Sequence, residues 1–164
     1  MKTPDLSIVV AERDIQGEDP QETQHLQQLL AEAKTYLGSF RWCKSIQESY
    51  CGIGAPGIIG VFLFRIEPAM KDIDEWLWVI VGDVPSAYIT AQYATTPTEA
   101  LEGYIGEMTE WVKAAMEGKS VKELIPVNVD PTQENAKMLE SRLELLGQYL
   151  VEESEDNDPK SGPQ

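Results

Sequence analysis

Histidine occurs once in this chain, at position 25, and cysteine twice, at 43 and 51. A zinc site of the His/Cys type needs three or four ligands, and no C-x-x-C or H-x-x-x-H spacing exists to supply them. A Ser-His-Asp triad would have to use His25, with no G-x-S-x-G turn to present the serine. His25 reads instead as a helix surface residue. Two thiols make no disulfide framework. On one extended strand they would stand roughly 27 Å apart, beyond the reach of a bridge, whereas a turn between them would allow one. Two reduced, half-buried thiols are the expectation. No run of 18 apolar residues is present, so no bilayer-spanning helix is expected. The opening Met1–Asp5 segment has no apolar stretch ahead of a small-residue cleavage site, so the expected location is cytoplasmic. Basic residues are scarce as well: 13 Lys and Arg stand against 28 Asp and Glu, a net charge of −15. Such a surface repels phosphate backbones and disfavours nucleic acid as a partner. No cofactor, metal or catalytic residue is expected from these counts.

What the chain does have is a core. The 164 residues suffice for one domain of ordinary size. The run Trp76-Leu77-Trp78-Val79-Ile80-Val81 is apolar throughout and ends at Gly82-Asp83-Val84-Pro85. It is too short to cross a membrane and rich in β-branched and aromatic residues, so it predicts a strand buried on both faces in the middle of a sheet.

The elements around it follow from punctuation and period. Residues 1–18 read as a flexible or edge-strand arm, with Leu6–Val10 the strand candidate. Asp19 stands at an N-cap, Pro20 at the first helical position, and Leu26, Leu29, Leu30, Ala33, Tyr36 and Leu37 fall on one helical face, with Gly38 as the stop. Lys44–Cys51 and Ile58–Glu67 read as antiparallel strands joined by a long glycine-rich loop, and Ala87–Tyr93 as the strand after the Trp76 run. Thr96, Pro97 and Glu99 open a second helix, whose apolar stripe runs from Leu101 to Ala115 and which Gly118 ends. Ser120 and Glu123 suggest one short helical turn. Asp130, Pro131 and Gln133 repeat the cap pattern ahead of a stripe from Ala136 to Leu150. Strands in a block followed by helices predict an α+β fold: a mainly antiparallel sheet of about four strands, an N-terminal helix and two long C-terminal helices. The expected organisation is one domain over 19–151 and a disordered acidic tail over 152–164. The two ends, 1–20 and 151–164, carry −7 of the net −15.

Three features bear on function. Gly52-Ile53-Gly54-Ala55-Pro56-Gly57 matches G-x-G-x-x-G, but the residues that follow form a strand pattern. No helix N-terminus is there to hold a pyrophosphate. Asp72, Asp74 and Glu75 form an acidic cluster beside the apolar strand, without the spacing or glycine of a calcium loop. Asp83 suits a turn. Trp76 and Trp78 point to one face and, with Trp42 and Trp111, offer either core packing or an aromatic pocket.

The segment from Trp78 to Tyr88, followed by a tryptophan-bearing helix and by Ile125-Pro126-Val127, resembles a pattern in uncharacterised bacterial proteins: W-x-[VI]-x-G-D-x-P-x-x-Y. The likeness covers roughly half the chain. It implies a bacterial α+β domain and imports no activity.

Two functions remain in contention. In the first, the chain is a non-enzymatic acidic protein that meets a basic protein partner, as an immunity or inhibitor protein does, through Asp72, Asp74 and Glu75. In the second, it is a small-molecule binder or enzyme with a pocket near Trp78, Asp83, Tyr88 and the other tryptophans. A deep concave pocket lined by those residues favours the second, and a flat or convex acidic face the first. The sequence leaves the oligomeric state open.

Overall fold

The computed structural model describes residues 3–156. The chain divides into two compact units, residues 1–100 and 101–164. Each is described by itself.

The first unit is an antiparallel meander with one helix on it. Helix α1 spans Pro20–Gly38 and starts as its sequence dictates: the Asp19 carboxylate accepts the Glu22 N–H at 2.8 Å, with Pro20 in the first turn. Gly38 is the last helical residue and Ser39 is the C-cap, in right-handed conformation, so the glycine is not used as a left-handed stop. The strands are β1 (Val10–Ala11), β2 (Cys43–Ala55), β3 (Ile59–Pro68), β4 (Trp76–Gly82) and β5 (Ala87–Thr90), in that spatial order, with every neighbouring pair antiparallel. The sheet therefore has five strands rather than about four. The additional one is β1, whose two residues pair with Tyr50 and Cys51. Leu6–Ile8, read from sequence as part of a short edge strand or an arm, forms a 3-10 turn because the Asp5 carboxylate accepts the Ser7 N–H. A Lys34–Glu12 ion pair ties this N-terminal segment to α1.

The stretch expected as a long loop between β2 and β3 is shorter. Strand β2 runs on through Gly52, Ile53 and Gly54, and the reversal takes only Pro56, Gly57 and Ile58. The glycines are there for contact. A Cβ on Gly54 would lie 2.7 Å from a Leu26 methyl, and one on Gly52 would lie 2.7 Å from Pro97 Cβ and 3.1 Å from the Trp78 ring. Strands normally avoid glycine, but here the sheet surface must come close to its cover.

Strand β4 is buried on both faces. Leu77, Val79 and Val81 join Leu26, Leu29, Leu30, Ala33 and Leu37 of α1 and Phe62, Phe64 and Ile66 of β3 in one core. Trp78 and Ile80 on the opposite face are fully buried too, beside Val61 and Leu63 of β3. The Trp78 indole N–H donates to the Ala94 carbonyl at 2.8 Å, so its one polar atom is satisfied. Gly82, at φ +135°, closes the strand; a side chain there would meet the Ile59 backbone, its Cβ 2.8 Å from the Ile59 Cα.

The second unit is helical. Helix α2 (Pro97–Glu117) begins just before the boundary, capped by the Thr96 hydroxyl on the Glu99 N–H. It ends in a Schellman turn: Gly118, at φ +70°, donates to the Ala115 carbonyl and Lys119 to that of Ala114. The 120–123 segment forms turns rather than helix. Helix α3 (Gln133–Asp156) is capped by the Thr132 hydroxyl on the Asn135 N–H, two residues past the expected Asp130, whose carbonyl accepts the Asn135 side-chain amide. Leu101, Tyr104, Met108, Trp111, Val112 and Ala115 are buried along α2, and Ala136, Leu139, Leu143 and Leu146 along α3. Residues 152–156 of the expected tail continue α3, and 157–164 lie outside the described residues. No helix among the described residues is long and apolar enough to cross a membrane.

The two-sided burial of β4 sets the first prediction. Val79→Asp would place an unpaired carboxylate in the α1 core at a cost of several kcal/mol, against a total stability of about 5–15 kcal/mol. The variant is expected to lose cooperative thermal unfolding by circular dichroism; retention of the wild-type transition would refute the burial.

Candidate functional site

A groove of about 290 Å³ lies at the β5 edge of the sheet, on the face that carries α1. It is lined by Trp42, Asp72, Ile73, Asp74, Leu77, Tyr88, Thr90, Gln92 and Tyr93, all within the first unit. Three segments converge on it: the turn before β2 brings Trp42, the connection before β4 brings 72–74, and β5 with its continuation brings 88–93. The register Val79↔Tyr88 and Leu77↔Thr90 puts Tyr88 and Thr90 on the same face as the core residues Leu77 and Val79.

Aromatic rings form one wall. Phe40 stacks on Trp42 with centroids 4.9 Å apart, and Tyr88 meets both edge-on, at 5.4 Å from Phe40 and 5.1 Å from Trp42. Tyr36 closes on the far side of Phe40 at 5.1 Å. Such offset and T-shaped pairs are the favoured ring geometries, so the wall is held in place before anything binds. Burial, with a smaller electrostatic contribution from Tyr88, pushes the Tyr36 hydroxyl up to about 12. Tyr88 and Tyr93 remain exposed to solvent at 37% and 75%.

Polar groups line the rest. Asp74 is buried, and both carboxylate oxygens are engaged: one accepts the Trp76 N–H at 3.0 Å, the other the Gln92 N–H at 3.2 Å. It pins the start of β4 to the chain leaving β5, so the groove's two polar flanks are joined through this one side chain. Asp72 stands exposed at the rim. The Thr90 hydroxyl oxygen is buried and has no hydrogen-bond partner among the described residues.

The six residues singled out from sequence thus separate. Asp72, Asp74 and Tyr88, drawn from both functional readings, meet in one groove. Glu75 does not line it: its carboxylate lies 3.5 Å from Arg65, which also holds Glu48 at 2.9 Å. The Tyr50 hydroxyl and then Arg65 hold the Glu48 carboxyl below its usual range. Trp78 is buried on the opposite sheet face. Asp83 lies past the other end of β4, where its backbone N–H donates to the Ile58 carbonyl at 2.9 Å. Trp42 packs with Phe40 and Tyr88, not with Trp76, which pairs at 6.2 Å with Tyr50. Phe40, Thr90, Gln92 and Tyr93 carried no sequence signal beyond residue type, because nothing local reports that these segments meet.

The other chemistry-bearing residues stand apart from the groove. His25 lines a smaller cavity of about 210 Å³ with Gln28, Leu29, Glu32 and Gly57. Cys43 and Cys51 are both free, and burial pushes the Cys51 thiol up to about 11. No group of three or more His, Cys, Asp or Glu among the described residues is placed to hold a metal ion. The chain matches no protein-family model, no curated protein and no solved structure.

Two predictions follow from the geometry. Asp74→Asn offers one acceptor oxygen where two backbone N–H groups need one each, and should cost about 1–3 kcal/mol in urea unfolding. Asp72→Asn, at an exposed rim, should stay within about 0.5 kcal/mol of wild type; equal effects would contradict the difference in burial. The second concerns alkali. Tyr36 keeps its proton longer in the folded chain than in the unfolded one, so its contribution is complete below about pH 10 and is lost as pH rises toward 12. Phenolate absorbance should include a step near pH 12 from Tyr36. Tyr36→Phe should remove both that step and this part of the alkaline destabilisation.

Proposed function

We propose that this protein is a non-catalytic binding module whose β5-edge groove receives a basic segment of a partner protein, in the manner of an immunity or inhibitor protein. One observation carries the reading: the groove brings two carboxylates, Asp72 and Asp74, into the same cavity as the rings of Trp42, Tyr88 and Tyr93. Carboxylates supply attraction for a cation. The π faces of the rings hold a cation further, by about 0.5–2 kcal/mol each depending on how far it is desolvated. The net charge of −15 acts at longer range, raising the encounter rate of any basic surface. The groove holds neither a nucleophile paired with a base nor a ligand set for a metal among the described residues. Of the three residues on which the pocket alternative relied, Tyr88 lines the groove, whereas Trp78 and Asp83 do not.

The test uses a lysine- and arginine-rich peptide as probe. Binding measured by stopped flow should slow as salt rises, because exposed charges are screened over about 10 Å at 0.1 M ionic strength. Non-specific attraction to an acidic protein would show the same salt dependence, so the decisive variant is Tyr88→Ala, which changes no charge. It should weaken binding about tenfold through lost ring contact, chiefly in the dissociation rate, while Asp72→Asn should act chiefly on the association rate. Binding insensitive to Tyr88→Ala would reject the groove as the docking site.

A further inference from the structure

The chemistry of the groove is more selective than a preference for positive charge. We propose that it is an arginine-reading site: the partner's docking residue lays its guanidinium against the Trp42–Tyr88 ring pair and donates N–H groups to the Asp72 carboxylate and the Thr90 hydroxyl. This inference rests on the reading of the groove as a basic docking site and narrows it to one side chain.

Three observations favour guanidinium over ammonium. The first is the wall. Trp42 and Tyr88 stand 5.1 Å apart at an interplanar angle of 61°, with Phe40 stacked behind Trp42, and so present a fixed aromatic surface. A planar, delocalised cation stacks on such a surface; a tetrahedral ammonium touches it at a point. The second is the burial of part of the polar lining, while Asp72 and Gln92 stay exposed. Asp74 is buried, and the Thr90 Oγ1 lies beneath the surface. A guanidinium is weakly hydrated and loses less on entering than an ammonium does. The third is the unpartnered Thr90 Oγ1 itself. A buried hydroxyl without a partner costs about 1–3 kcal/mol, which an incoming N–H donor removes once the Thr90 side chain turns its hydroxyl toward the groove that it lines. Guanidinium carries five donors in one plane and can serve Thr90 and Asp72 while its face lies on a ring. A lysine ammonium carries three donors but on a single nitrogen, so it cannot span Thr90 and Asp72 with its charge spread over a ring face. An anionic ligand is turned away by Asp72 and Asp74.

The experiment uses the full chain and three uncharged-backbone probes: N-acetyl-arginine amide, N-acetyl-lysine amide and N-acetyl-citrulline amide, titrated by nitrogen-15 correlation NMR. Citrulline keeps the planar shape of arginine and lacks its charge. The arginine probe is expected to shift the Trp42 indole and Thr90 amide signals and to bind about fivefold tighter than lysine, with citrulline weaker than both. Thr90→Val keeps the shape, removes the hydroxyl and preserves the fold. It should reduce arginine binding about threefold and lysine binding less, narrowing the ratio. Arginine and lysine binding equally, with both lost in Tyr88→Ala, would overturn arginine selectivity and leave the basic docking site standing. Citrulline binding as tightly as arginine, or arginine binding that survives Tyr88→Ala, would overturn both. An unchanged arginine-to-lysine ratio in Thr90→Val would overturn the part assigned to Thr90.

Discussion

The structure of the first unit depends on a single constraint: β3 and β4 are apolar on both faces, so neither face of the sheet centre can be left to water. Helix α1 answers for one face with five buried side chains, Leu26, Leu29, Leu30, Ala33 and Leu37. On the other face the chain after β5 folds back far enough for Ala94 to accept the Trp78 indole N–H and for Pro97 to approach Gly52. The glycines of β2 belong to the same constraint, because a sheet covered closely has no room for side chains where the cover descends. Charged residues take the exposed part of the sheet, as in the Glu48–Arg65–Glu75 network across β2, β3 and the residue before β4.

The groove is a by-product of how that sheet ends. Strand β5 has only four residues, and beyond it the chain must turn away. The turn is held by Asp74, whose two oxygens stitch residues 76 and 92 together. A buried carboxylate accepting two backbone N–H groups is a strong anchor, since hydrogen bonds to a charged acceptor exceed neutral ones. The same group brings negative charge to the floor of a cavity walled by aromatic rings. One side chain therefore both holds the edge together and adds a carboxylate to the cavity lining.

Much of the fold was legible because its signals are local. Asp19-Pro20 marked the start of α1, the 76–81 run marked β4, and Gly118 marked the end of α2. The misread places are those where a distant contact overrides a local preference. Gly52 and Gly54 look like loop residues until Leu26 and Trp78 are set beside them. Strand β1 is two residues long and is a strand only through its pairing with Tyr50 and Cys51 of β2. The site was legible in fragments. Asp72 and Tyr88 each stood out, but as members of rival readings, since sixteen positions separate them and only the β4–β5 pairing returns the chain. The role of Asp74 was hidden for a similar reason: in a run of charged residues nothing distinguishes the one that turns inward.

The sheet order also has a temporal meaning. Each strand from β3 onward pairs with the one made just before it, so the loops to be closed are short and the entropy of closing them is small. The β2–β3 hairpin, with its three-residue reversal, can form as soon as both strands have left the ribosome; β4 and then β5 zip on behind it. The groove needs Trp42 from before β2 and Tyr93 from after β5, so it is assembled last, when nearly the whole meander is in place. Completeness of the groove thereby becomes a report on completed folding of the meander: a nascent or truncated chain that ends before residue 93 has the hairpin but lacks part of the groove's lining.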